Sequence, residues 1–189
     1  MNKKLKILII AIIAILIVVL FSIFILNKSN EKSNFENITN VESLTALIDQ
    51  IYEGQTVEFP ALATQEVDIT DAGMVQLATG LDNASDLEYV VVSEPMMTSQ
   101  AYSLVLVKVK DGANANEIAK KMNDNIDIRK WICVSAEKVY TTSSRNVICL
   151  VMSREELAKP VYEKFKQLAG SVSEEFTREE VVELPEDMY

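Results

Sequence analysis

Ile7 to Leu26 is a run of twenty positions with one polar side chain, Ser22. A helix of that length spans about 30 Å, the thickness of the hydrocarbon core of a bilayer. The run is longer than the apolar stretch of a cleaved signal peptide. The residues that follow it, Asn27-Lys28-Ser29-Asn30, contain no small-x-small cleavage site. The pattern predicts an uncleaved transmembrane helix over residues 7–26. Lys3, Lys4 and Lys6 precede it without an acid, so residues 1–6 are expected on the cytoplasmic side and the rest of the chain outside. Residues 27–37 are polar apart from Phe35 and read as a flexible tether.

Beyond the tether, apolar positions recur with the periods of short helices and strands. Val41, Leu44, Ile48, Ile51 and Tyr52 fall at helical spacing. Thr39-x-x-Glu42 offers a capping box in front of them, and Gly54 offers a stop. Residues 55–69 read as irregular, with Pro60 against any strand. A short helix follows from Thr70 to Gly80, with Met74, Leu77 and Ala78 as its apolar side. Glu88–Glu94 and Ala101–Lys110 read as strands whose connection, Pro95–Gln100, closes an antiparallel hairpin. Met96-Met97 in that connection is expected to fold back over the core. In the second strand Val105, Val107 and Val109 share one face, and Leu104, Leu106, Lys108 and Lys110 share the other.

Asn114-x-x-Glu117 caps a further helix with the stripe Ala115, Ile118, Ala119 and Met122. Trp131–Tyr140 and Asn146–Met152 read as strands joined by the polar Thr141–Arg145. Ser153-x-x-Glu156 is expected to cap a last helix, carrying Leu157, Val161, Phe165 and Leu168, with a kink at Pro160. The order α-α-β-β-α-β-β-α predicts an α+β domain over residues 38–170. Its expected form is two-layered, a mainly antiparallel four-stranded sheet with three to four helices mostly on one face. Residues 171–189 carry seven acids against Arg178 and read as a solvated acidic tail.

Charge and composition narrow the chemistry. Three lysines and no acids lie before residue 27, so the rest of the chain carries −13 against a total of −10. Such a surface repels phosphate backbones and argues against nucleic acid as a partner. The chain has no histidine, which removes Ser–His and Cys–His nucleophile pairs and almost every catalytic zinc site. No cofactor is implied. Cys133 and Cys149 are the only cysteines. If Tyr140 faces Asn146, Cys149 falls opposite Glu137 and Cys133 opposite Ser153, which predicts two separate buried thiols rather than a disulfide.

Two clusters are candidate interaction sites. Lys108, Lys110, Asp111 and Asn114 gather at a strand-to-helix junction, where turn and capping chemistry is the ordinary reading and an anion site the functional one. Arg129, Lys130 and Trp131 place two cations before the only tryptophan. Such a tryptophan is a ligand platform if exposed and a core residue if it packs at a strand start. Carboxylate neighbours such as Asp124 with Asp127, or Glu155 with Glu156, are expected by chance among 28 acids.

Three segments carry a resemblance: 107–118, containing Lys110-Asp111-Gly112-Ala113-Asn114-Ala115; Arg129-Lys130-Trp131-Ile132-Cys133-Val134; and Asn146-Val147-Ile148-Cys149-Leu150-Val151-Met152-Ser153. Together they resemble a bacterial membrane-anchored family known only as a domain of unknown function. The likeness covers roughly residues 40–170. It implies an N-terminal anchor with one outer domain and carries no activity, ligand or catalytic residue.

The chain is therefore expected to be a non-enzymatic binding or interaction module of the cell envelope. The bilayer is its partner through residues 7–26, and an envelope protein or polymer is its partner outside. The alternative is a carboxylate-dependent enzyme, or an accessory subunit, acting on cell-wall or surface polymer. An enzyme of that kind needs a cleft with two acids about 5–9.5 Å apart, one of them buried. A subunit held through its anchor finds no small-xxx-small contact, since no two of Ala11, Ala14 and Ser22 lie four apart.

Overall fold

A computed structural model describes residues 35–179. The transmembrane helix expected at 7–26 lies outside the described residues. Among the described residues no helix is long and apolar enough to cross a membrane.

After a single 3-10 turn at Phe35–Asn37, the elements run in order as α1 (Val41–Tyr52), β1 (Leu62–Glu66), α2 (Ala72–Thr79), β2 (Leu87–Pro95) and β3 (Tyr102–Val109). They continue as α3 (Ala115–Asn125), β4 (Lys138–Ser144), β5 (Val147–Ser153), α4 (Glu155–Ala169) and β6 (Phe176–Glu179). The strands form one antiparallel sheet in the order β1-β2-β3-β5-β4-β6.

The class is α+β, but the sheet has six strands rather than four, and helices cover both of its faces. Val90, Val92, Val105, Val107, Ile148 and Leu150 pack against α2 and α3. Val91, Leu104, Leu106, Val147, Cys149 and Val151 pack against α1 and α4. All eight residues of β3 and all seven of β5 are buried, so a single helical layer would leave half of them in water. Leu104 and Leu106, opposite the valines of β3, carry the signal for the second layer.

The two additional strands are the sheet edges. The segment containing β1 reads as irregular from sequence because Pro60 and polar residues dominate it. It pairs all the same, from Leu62 with Pro95 to Glu66 with Val91, as a mostly exposed edge just beyond the proline. β6 lies in the stretch expected to be a solvated tail. Arg178 of β6 donates to the carbonyls of Asp124, at 2.6 Å, and of Ile126, which fastens the strand to the C-terminal end of α3. Residues 180–189 lie outside the described residues.

The second hairpin is also shifted from the expected one. Residues 131–137 form no strand, and β4 begins at Lys138. Thr141 to Ser144, expected as the polar connection, form the buried end of β4. Three of the four hydroxyls have partners, and the Ser143 hydroxyl is buried without one among the described residues. Asn123 donates to Thr141 Oγ1 at 3.1 Å, Thr142 Oγ1 donates to the Glu174 carbonyl at 2.9 Å, and Ser144 Oγ donates to the Ser171 carbonyl at 2.6 Å. Tyr140 therefore faces Val151, and Cys149 faces Thr142. Cys149 is buried and Cys133 is exposed, both as free thiols, so the expected burial of Cys133 is overturned with its strand.

The caps divide in the same way. Asn114 caps α3 as expected, accepting from the Glu117 amide at 3.3 Å. For α1 the cap is Asn40 rather than Thr39, and Ser43 closes the box. Ser153 does not cap α4: its hydroxyl donates to the Ala101 carbonyl across the sheet, at 2.7 Å. The helix Glu155–Ala169 includes Pro160.

Candidate functional site

Lys130 sits between the first hairpin and α2. Its side chain is 3% exposed, and its ammonium lies 2.5 Å from Glu94 Oε1 at the end of β2. It also donates to Ser103 Oγ and to the Leu77 carbonyl, each at 3.3 Å. Ser103 in turn donates to the same Glu94 oxygen at 2.7 Å. A lysine removed from water needs a counter-charge and acceptors for its three donors, and these three groups supply them. The ammonium lies 5.5 Å from the centroid of the Trp131 ring, and Trp131 is half-buried against the core beneath α2 and α3.

This arrangement ties three segments together. The 131–137 segment is held to the hairpin loop by the Ile132 amide, which donates to the Thr98 carbonyl at 3.0 Å. The loop is held to the sheet edge by the Met96 amide, which donates to the Ala61 carbonyl at 2.9 Å. α2 is held by its Leu77 carbonyl on Lys130. The large exposed hydrophobics of the described domain all lie on these segments: Met74 and Leu77 on α2, Met96 and Met97 on the loop, and Ile132 beside Trp131. Their exposures run from 41% to 72%. Met74 and Leu77 were expected to face the core, but the buried side of α2 is Val75, Ala78 and Thr79. Met96-Met97 was expected over the core and stands in solvent instead.

The same two loops border a groove of about 520 Å³ lined by Phe59, Tyr102, Ser99, Val134, Glu137 and Arg154, among others. Its carboxylates, Glu58 and Glu137, are both exposed. Glycosidic acid–base chemistry needs one carboxyl held in an apolar setting, and neither of these has one. Asp124 is paired with Lys120 at 2.6 Å, and Glu155 with Lys159 at 3.5 Å. Among the described residues no group of three His, Cys, Asp or Glu is placed to hold a metal ion.

Of the residues expected from sequence, Lys130 and Trp131 are brought together here. Arg129 stands exposed on a turn fixed by Asp127, which accepts from the Arg129 amide at 2.8 Å. The other cluster is split: Lys108 and Asp111 line one hollow, and Lys110 and Asn114 are engaged elsewhere. Lys110 donates to the Ser85 carbonyl at 2.6 Å, Asn114 caps α3, and Asp111 accepts from Asn146 at 3.3 Å. Lys108, the remaining member, is buried at the end of β3. Glu94 and Ser103 are absent from the sequence reading. Both are polar residues where the β2–β3 hairpin meets its loop, a place where polar side chains are ordinary, so neither stands out in the sequence.

Comparison with family models, with curated proteins and with solved structures gives no match.

Proposed function

We infer that the chain is a non-enzymatic, membrane-anchored module that docks a protein partner outside the membrane through the rim around Lys130. One observation carries this: five large apolar side chains stand in solvent on segments that a buried ion pair holds in place. Exposed hydrophobics scattered singly are ordinary, whereas a group confined to segments that are tied to one another favours an interaction surface. Methionines suit such a surface because their unbranched thioethers adapt to a partner's relief. Burying them on association removes apolar area from water, and a half-buried Trp131 beside them supplies a rigid anchor. The apolar run at 7–26, and the likeness to an anchored family, support placing the rim outside the cell, within reach of envelope proteins.

The test is a rim of changed polarity in the full-length protein. Met97→Asp with Ile132→Asp is expected to abolish recovery of an envelope partner that wild type retains after crosslinking in intact cells. Trp131 emission should stay at its wild-type wavelength. Equal recovery with both forms would overturn the docking reading.

A further inference from the structure

The β4–β5 hairpin is closed by Arg145 and Asn146, and it borders a hollow of about 590 Å³. Four charged residues line this hollow: Glu36, Lys108, Asp111 and Arg145. Three of them are engaged. Arg145 pairs with Glu36 at 2.6 Å, and Asp111 accepts from Asn146. Lys108 is 8% exposed and pairs through its backbone within the sheet, while its ammonium has no hydrogen bond or ion pair with a described residue.

An ammonium has three donors and no acceptor, and that of Lys108, though its residue is largely buried, is not sealed from solvent. A buried lysine left uncommitted on the wall of a polar hollow is suited to an anion supplied from outside. We propose that the hollow binds a phosphate group, with the Lys108 ammonium as its point charge. Arg145, Asn146 and Thr39 line the same hollow; beyond the Arg145–Glu36 pair and the Asn146–Asp111 bond, their remaining donors would serve its other oxygens. Phosphate is favoured over carboxylate because it offers more oxygens to donors that come from several separate residues. Glu36 and Asp111 limit the negative charge the hollow accepts, which favours a singly charged phosphodiester.

Two sources share that chemistry: a soluble phosphodiester and a lipid head group. The lipid source also rests on the anchor at 7–26. From Asn27 to Phe35 the chain reaches at most about 32 Å when fully extended, so a head group stays within range.

The test uses the full-length chain labelled with 15N-lysine, in maltoside micelles that contain no phosphate. The Lys108 Nζ signal is identified by its loss in Lys108→Arg. Dimethyl phosphate is expected to move that signal saturably and to leave the exposed Lys120 unmoved, with chloride at equal ionic strength as the control. A shift in phosphatidylglycerol nanodiscs without a response to dimethyl phosphate assigns the site to lipid. Arg145→Gln should weaken the response about tenfold or more, the loss of one charge-assisted contact. No movement of the Lys108 signal in either arm, or an Arg145→Gln response equal to wild type, overturns the proposal. Because Lys108 and the rim around Lys130 are read separately, this failure would leave the docking reading standing.

Discussion

Replacing Glu94 by glutamine removes the negative partner of a lysine whose side chain is 3% exposed, with almost no change of shape. Breaking a buried pair from one side leaves an uncompensated charge and ordinarily costs ~3–5 kcal/mol. The amide oxygen of glutamine still accepts from Lys130, so the low end applies, about 3 kcal/mol. For a domain of this size that is a fall in Tm of roughly 6–12 °C. Lys130→Met is expected to be milder, about 1–2 kcal/mol. Glu94 is 30% exposed, so it rehydrates, and Ser103 still donates to it. The double variant should be no worse than Lys130→Met alone, giving a coupling of about 3 kcal/mol. The assay is urea unfolding of the full-length protein in non-ionic detergent, followed by fluorescence of the only tryptophan, Trp131, which lies beside the ion pair. Additive losses, or Lys130→Met costing more than Glu94→Gln, would refute the view that Lys130 is held chiefly by this carboxylate.

Three other outcomes follow from the packing. Gly80 closes α2 at φ 75°, and an added Cβ would meet the Ile126 amide nitrogen at 2.5 Å, so Gly80→Ala should destabilise by about 2–5 kcal/mol in the same unfolding assay. Burial raises Tyr52, Tyr102 and Tyr162 above the ordinary tyrosine range, Tyr102 furthest into the core beside Tyr52. Their stabilisation is complete below about pH 10, where the unfolded chain keeps its phenols protonated, and is lost as pH rises beyond it. Ultraviolet titration should therefore show these phenols ionising late, together with unfolding; ionisation near pH 10 with the fold intact would contradict it. Thiol labelling should be biphasic, with Cys133 fast and Cys149, whose thiol burial pushes up, reacting only on unfolding.

Periodicity made the central elements legible because burial there is regular. The strands around Val90–Val92 and Leu104–Val109, and the stripe Ala115, Ile118, Ala119 and Met122, are where the alternation places them. It failed where polar groups are satisfied by distant partners. Thr141 to Ser144 look like a loop until Asn123 donates to Thr141 and the carbonyls of Glu174 and Ser171 accept from Thr142 and Ser144. Edge strand β1 is mostly exposed and β6 is four residues with only Phe176 against the core, so neither carries an apolar alternation to detect. The rim shows the same limit. Lys130 and Trp131 stood out by residue type. The partners that bury Lys130 come from Leu77, Glu94 and Ser103, up to 53 residues away, and no local pattern links them.

Site-specific photocrosslinking compares the proposed docking rim directly with the rest of the surface. A photoreactive residue at Met97 or Ile132 of the full-length protein in living cells should give one discrete adduct with a second protein. The same residue at Lys159, exposed on α4 across the sheet, should give none. Adducts of equal yield at all three positions, or adducts at Lys159 alone, would contradict docking through the segments around Lys130.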